Sequence, residues 1–383
     1  MIYKTFGKTG KKVSAVGFGG MQFDTGQPKE KNAELLLYAF EKGINYFDTA
    51  PRYCKDHSED IFGIALKQMA RQREKWYVST KGLPDENLTG AATRASVEGQ
   101  LRRLNVEKID FYYVWCIRKM DHYRTAMRPG GQYEELRRCK EEGLIDHIVL
   151  STHLRGDQIR GILEEGKVEG VLMGINILNF PYRWEGVAAA HRLGYGVAAM
   201  NPLAGGLIPR HEKELAFLGS EGERPTEAAL RFCISCPEIT ITLNGFTTRA
   251  HIDMACAAAA RSKPYGEADL ERIKAHLSEN MDQLCTGCGY CLQDCPVRIP
   301  ISAYMMYYNE KLIAHKSEAQ MVRALEEYLE WGTLAEREAT AADCIECGAC
   351  EEACTQHLKV MARLKEMAEW ERKGTKKALG IRH

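Results

Sequence analysis

Eight short apolar runs, each followed by a segment of helical periodicity, fill residues 13–262 of the 383-residue chain. The runs are VSAVGFGG (13–20), INYFDTA (44–50), KWYVST (75–80), KIDFYYVWC (108–116), DHIVLST (146–152), EGVLMGIN (169–176), YGVAAMN (195–201) and EITITLNG (238–245). Between and after them stand segments such as KEKNAELLLYAFEKG, SEDIFGIALKQMA and WEGVAAAHRLG. A strand–helix unit repeated eight times is the pattern of an α/β fold closed as a (β/α)8 TIM barrel. A doubly wound open sheet is the rival, but no G-x-G-x-x-G follows the first run. Barrel chemistry gathers at the C-terminal ends of the strands. That points to Asp48, Tyr53, Lys81, Trp115, Ser151, Asn176 and the loop NPLAGG, 201–206.

The charge balance narrows the partners. Lys+Arg and Asp+Glu both number 52, so the formal net charge is zero. Nothing in that balance favours nucleic acid or an anionic membrane. The opening MIYKTFGKTGKKVSAVGF has lysines but no continuous apolar stretch of a signal peptide. No run reaches the roughly 18 apolar residues that a spanning helix requires. The expectation is a cytoplasmic protein acting on a small molecule. In that setting fourteen cysteines read as thiolates for metal or catalysis rather than as disulfides.

Eight of those cysteines lie in two runs, CTGCGYCLQDCP (285–296) and CIECGACEEACT (344–355). Both read C-x2-C-x2-C-x3-C. Three thiolates spaced two residues apart wrap a tight turn, and the glycines let the backbone pass close to what they hold. A structural zinc draws two cysteines from each of two separate knuckles, so four in one run suit it poorly. The spacing is that of two 4Fe–4S clusters in which each fourth cysteine serves the other cluster. Cys285, Cys288, Cys291 and Cys354 then form one ligand set, and Cys344, Cys347, Cys350 and Cys295 the other. Two zinc sites, or thiols without metal, are the alternatives. Thr355 departs from the pattern, standing where Pro296 stands in the first run. The intervening ISAYMMYYNEKLIA and EAQMVRALEEYLEWG, and the closing LKVMARLKEMAEWERK, have helical spacing. This part resembles the α-helical ferredoxin module. The expected division is a barrel over 1–265 and an all-α, ferredoxin-like 4Fe–4S domain over 266–383.

The barrel part resembles the aldo-keto reductase family. YKTFGKTGKKVSAVGFGG, NYFDTAPRYCKDHSE, STKG, LRRLNVEKIDFYYVW, ALRFCISCP and GFTTRAHID occur in order, and DTAPRY…SE is the most specific of them. The resemblance implies carbonyl reduction with a nicotinamide cofactor at an Asp–Tyr–Lys–His tetrad. Asp48, Tyr53 and Lys81 match the first three positions. A lysine cation beside a tyrosine lowers the phenol toward a useful proton donor for a carbonyl oxygen, and the aspartate holds that lysine charged. Trp115 stands in the place of the histidine, and an indole N–H cannot relay a proton. His122 and His153 are candidate substitutes. Cys54 and Cys116 flank tetrad positions, and strand alternation turns Cys116 away if Trp115 faces the site.

The implied nicotinamide grip is partly altered. Ser151 matches a carboxamide contact, but Thr152 replaces an asparagine, and Leu172 falls on the carboxamide-binding glutamine. Met254 and Ala255 replace a Glu–Asn pair that holds adenine. Asn176, the backbone amides of Ala204, Gly205 and Gly206, and the Thr247, Thr248 and Arg249 that open the last helix remain. A helix N-terminus with hydroxyls and an arginine suits a phosphate such as that of NADPH, although a plain capped helix has the same ends.

Two readings follow. In one the chain is an oxidoreductase that reduces or oxidises a small carbonyl or unsaturated substrate, with electrons from NADPH, through the two clusters, or both. A ferredoxin or another redox protein is then the partner. In the other, the barrel is a non-catalytic scaffold of an electron-transfer subunit that docks a partner enzyme.

Overall fold

The computed structural model describes residues 1–220, 222–277, 283–330, 334 and 337–378. The last two positions of the expected helix EAQMVRALEEYLEWG lie outside them. The chain folds as two compact units, Met1–Leu203 with Gly219–Leu270, and Ala204–Leu218 with Glu271–His383.

The first unit opens on an antiparallel hairpin, β1 (Tyr3–Thr5) and β2 (Lys12–Ser14), which the sequence reading did not anticipate. Eight parallel strands follow: β3 (Val16–Gly19), β4 (Tyr46–Asp48), β5 (Tyr77–Gly82), β6 (Ile109–Ile117), β7 (Ile145–Thr152), β8 (Gly170–Gly174), β9 (Gly196–Met200) and β10 (Ile241–Gly245). They close as β10-β3-β4-β5-β6-β7-β8-β9, the barrel the alternation predicts. A parallel strand inside a barrel is covered on both faces. All nine residues of β6 are accordingly buried. Helices expected between the strands are present, among them Lys29–Glu41, Ser58–Met69, Gly90–Leu104 and Phe180–Arg192. The helix Met120–Met127, which carries His122, is an addition.

The barrel interior is aromatic at its lower end. Phe6, in the bend of the hairpin, packs on Phe111 at 4.9 Å and joins Tyr46, Tyr113, Val149 and Leu172 in one core cluster. Gly170 and Gly196, the first residues of β8 and β9, make room for it. A Cβ on either would stand 2.4 Å from the Phe6 ring. The phenols of Tyr46 and Tyr113 share a buried 2.6 Å hydrogen bond across the interior. The barrel interior is thus filled with side chains at its base.

In the second unit the helices Ile301–Ile313, Glu318–Glu330 and Val360–Ala378 bury Tyr304, Met305, Tyr307, Met321, Leu325, Leu364, Met367 and Trp370. The segment Ala204–Leu218 folds with them. His211 Nε2 lies 3.2 Å from Glu310, and Gly205 presses so close to the Thr286 carbonyl that a Cβ would stand 1.9 Å away.

Candidate active site and candidate metal centres

At the upper end of the barrel, β4 ends on Asp48 and β5 carries Lys81 one residue before its end. Both side chains are buried, and Lys81 Nζ donates to Asp48 Oδ2 at 2.6 Å and to the Thr49 carbonyl at 2.8 Å. Ser79 Oγ donates to the other Asp48 oxygen at 2.7 Å. Ser79 and Lys81 alternate onto the same strand face, a signal the sequence reading passed over. Burial pushes the Lys81 ammonium down from its usual range, and the Asp48 carboxylate opposes that shift. The two side chains form a neutral pair, fixed at one end by Ser79 and at the other by the Thr49 carbonyl.

Tyr53 lies in the turn after β4, and Lys81 Nζ sits 5.1 Å above its ring centroid. The other neighbour of the ammonium is Tyr113, at 5.4 Å, which the sequence reading did not assign to the site. Trp115 meets Tyr53 edge to face at 5.7 Å. The Tyr53 residue is partly exposed, but its phenol is enclosed. Burial, then the Asp48 charge, then Cys116 and Cys54 raise its pKa well above the ordinary value. The direction is opposite to the lowering expected beside a lysine, while the expected role of proton donor is unchanged. Asp48 neutralises the cation, and the cation faces the ring rather than the oxygen. The form kept at neutral pH is the protonated phenol, a proton donor.

Cys116 departs from strand alternation. The β6–β7 ladder pairs Val114 with Leu150 and Ile117 with Thr152, so β6 carries one extra residue there. Cys116 takes φ +57° in that bulge. The bulge re-aims its side chain, and both Cys116 and Cys54 lie within electrostatic reach of the Tyr53 phenol. Cys54 Sγ also approaches the Gly20 carbonyl at 3.4 Å. His153 is buried after β7, and its carbonyl accepts from the buried Arg183 at 2.9 Å. His122 is half-buried on its own helix.

The two cysteine runs share one backbone. Gly287 and Glu346, each two residues after the first cysteine, have φ +68° and +52°. Gly289 and Gly348, after the second cysteine, have +77° and +80°. Arg298 and His357, three after the fourth cysteine, have +58° and +54°. Glycine takes such a conformation without cost, while Glu346, Arg298 and His357 are held there against their preference. The turns aim amides at sulfur: Gly287 N–H donates to Cys285 Sγ and Leu358 N–H to Cys354 Sγ, both at 3.4 Å. Such donors favour thiolates.

Among the described residues no three Cys, His or carboxylate side chains converge as ligands of a single ion would. Cys295 instead joins Cys344, Cys347 and Cys350 around a small recess, walled by Val297, Ile299, Met361 and Leu364. Cys288 Sγ lies 3.6 Å from the Thr355 hydroxyl, next to Cys354, and Cys288, Cys285, Cys354 and then Cys350 of the second run act on Cys291 electrostatically. Thr355, in the place of a proline, thus points a hydroxyl at the first set. The grouping suits multinuclear clusters better than two zinc knuckles.

Comparison with known proteins agrees with this geometry. The aldo/keto reductase family profile matches residues 15–278, and that of the 4Fe-4S dicluster domain matches 284–361. The chain belongs to the aldo/keto reductase family. Membership places this aldo/keto reductase among oxidoreductases that carry, here, a C-terminal iron–sulfur domain. It is 28% identical over 315 residues to L-galactose dehydrogenase of Arabidopsis thaliana, covering 71% of this chain and 95% of that protein. It is 29% identical over 238 residues to a probable aldo-keto reductase of Glycine max, covering 59% of this chain and 64% of that one. A probable voltage-gated potassium channel subunit beta of Arabidopsis thaliana is 34% identical over 120 residues, 30% of this chain and 37% of that one. In fold, the holo form of an aldo-keto reductase from Bacillus halodurans superposes with TM-score 0.62 at 23% identity, over 73% of this chain and 97% of that one.

Several of the residues expected around a nicotinamide cofactor make hydrogen bonds within the chain. Thr152 Oγ1 donates to the Ile117 carbonyl at 2.9 Å and accepts from Leu154 N–H at 3.0 Å. Asn176 Oδ1 accepts from the Leu178 and Asn179 amides, and its Nδ2 donates to the Asn201 carbonyl at 3.1 Å. Thr248 caps the helix Arg249–Ala260 by accepting from His251 N–H, and Thr247 pairs with the His251 ring at 3.1 Å. Arg249 stacks over Tyr38 at 4.9 Å. Ser151 is buried in β7. Ala204, Gly205 and Gly206 all have positive φ and fold with the second unit.

Proposed function

We propose that this chain is an iron–sulfur oxidoreductase in which Tyr53 protonates the oxygen of a small carbonyl or unsaturated substrate. The observation that carries the reading is the Tyr53 ring 5.1 Å from the ammonium of buried Lys81, itself paired with Asp48 at 2.6 Å. Reducing a carbonyl to an alcohol takes two electrons and two protons, and Tyr53 supplies the proton that ends on oxygen. Lys81 faces the developing negative charge from the far side of the ring. Its ammonium is fixed by Asp48 and the Thr49 carbonyl, so nothing has to reorganise as charge builds. Trp115 holds the Tyr53 ring edge to face and closes the side where a histidine stands in the family. Cys116 and Cys54 lie near enough to line the same pocket.

Cys285, Cys288, Cys291 and Cys354 would hold one 4Fe–4S cluster, and Cys344, Cys347, Cys350 and Cys295 the other; such clusters pass electrons singly. The bonds from Gly287 and Leu358 amides to sulfur and the paired left-handed turns support this assignment. NADPH is a second electron source in this reading. Thr152, Asn176, Thr247 and Thr248 already spend their polar groups within the chain, which favours the clusters as the main inlet and a redox protein as the donor.

Tyr53→Phe tests the catalytic reading. An activity fall of about 10²- to 10⁴-fold is expected for loss of a general acid. Unchanged turnover in the purified chain would favour the scaffold reading, which the partial likeness to a channel subunit also suits. Titration with NADPH, followed by quenching of protein fluorescence, decides the second electron source. No binding at millimolar cofactor removes it.

A further inference from the structure

We propose that Arg363 is the counter-charge of the cluster held by Cys285, Cys288, Cys291 and Cys354, and selectively raises its reduction potential. The inference rests on the crossed ligand sets proposed above. Arg363 lies in the first turn of the helix Val360–Ala378 and is only 6% exposed. A guanidinium stays charged at every physiological pH. Burying one without an anion is costly, and arginine is seldom fully buried unless paired. Yet Arg363 makes no ion pair among the described residues. Its Nη2 reaches only the amide oxygen of Gln283, at 3.3 Å, and its plane lies 4.8 Å over the Tyr308 ring. Buried Nη1 has no partner. The acidic groups within its electrostatic reach are Tyr308, Cys285, Cys354 and Glu366. Glu366 is already paired with Lys311 and accepts from the Tyr308 hydroxyl. Cys285 and Cys354 come from different runs and belong to one proposed crossed set, so a cluster there would give the unpartnered Nη1 its counter-charge.

The same helix treats the other set differently. Met361 and Leu364, spaced three residues apart on one side of the helix, wall the recess of Cys295, Cys344, Cys347 and Cys350 with apolar surface. Among the described residues no cation lines that recess. Near it, Glu351 acts on Cys350 and accepts the Met361 amide at 2.9 Å. One added electron is one added negative charge at the thiolates, so a fixed neighbouring cation favours the reduced state, and hydrogen bonds to sulfur act in the same direction. Arg363 therefore separates the potentials of two centres that share one backbone design.

The test is a potentiometric titration of the full chain, purified without oxygen and followed by electron paramagnetic resonance, with iron and sulfide counted first. Arg363→Gln is expected to lower the potential of one wave and leave the other in place. A shift of about tenfold in the oxidised-to-reduced ratio at fixed potential is expected, or about 59 mV for a one-electron couple. Arg363→Lys, which keeps the charge, should restore most of it. Gln283→Glu at an exposed position gives the arginine a carboxylate without touching the core, and should lower the same wave by a smaller amount. That variant serves if Arg363→Gln does not retain its iron. About eight irons with neither wave moved in either variant overturns the role of Arg363 alone. Two waves that move together overturn the crossed sets as well, and about four irons in the wild-type chain overturn the two-cluster reading itself.

Discussion

The barrel site and the cysteine runs are built by opposite means. Asp48, Tyr53 and Lys81 come from separate strands and turns, and their chemistry exists only after the barrel closes. Lys81 is charged or neutral, and Tyr53 acid or base, according to burial that no local pattern encodes. Each cysteine run instead carries most of its geometry in a dozen residues. Cysteine spacing and a repeated set of left-handed turns shape the backbone before any tertiary contact. In the proposed ligand sets, the one long-range event there is the exchange of a cysteine between the runs. A site written in local spacing is insensitive to distant packing, while a site made by convergence takes its electrostatics from the whole fold.

Exchange of the fourth cysteine is the largest effect open to test. Cys354→Ser should remove the same paramagnetic signal as Cys285→Ser and leave the signal lost in Cys344→Ser. Iron should fall from about eight to about four per chain in each case. If Cys354→Ser instead mimics Cys344→Ser, each run is self-contained, and its contrast with the barrel site becomes sharper still.

Breaking the convergent site should cost several kcal/mol without touching iron. Asp48→Asn leaves Lys81 buried without its anion, a loss of about 3–5 kcal/mol in denaturant unfolding of the barrel. Asp48→Asn with Lys81→Met should recover most of that stability and none of the activity.

Gly205→Ala probes the second unit where the segment Ala204–Leu218 meets the first cysteine run. The position has φ +67°, and a Cβ would stand 1.9 Å from the Thr286 carbonyl. Backbone strain of about 1–3 kcal/mol is expected, read as a lower melting temperature and faster loss of iron in air.

The smallest expected effect is a pH response. Hydrogen bonding from His211, then from Lys316, outweighs burial and holds the Glu310 carboxyl at about 2. Its pKa is depressed in the folded chain, so its stabilisation is present above the ordinary carboxylate pKa of about 4.3 and is lost as pH falls from there toward about 2. His211→Gln should reduce that acid sensitivity by about 1 kcal/mol, measured by denaturant midpoints between pH 5 and 3.

How far the sequence could be read follows the same contrast. The eight strands, the positions of Asp48 and Lys81, and the cysteine grouping all follow from periodicity or spacing. The bulge at Cys116 did not, because one inserted residue leaves no mark on an apolar run such as KIDFYYVWC. The state of the Tyr53 phenol did not either, since the neighbouring lysine is neutralised by an aspartate 33 positions before it. The hydrogen bonds that Asn176 and Thr248 make within the chain were not legible either, because the same residue types cap turns and contact cofactors.

Phe6 carries a consequence for synthesis. It is made well before the glycines that receive it, at 170 and 196. At about 5–20 residues per second, its seat on β9 does not exist for about 10–40 s after Phe6 itself is made. Through that interval the hairpin holds an aromatic ring without its final seat. A nascent chain stalled before position 196 should therefore bind holdase chaperones through the hairpin around Phe6, and one stalled well past 245 should not.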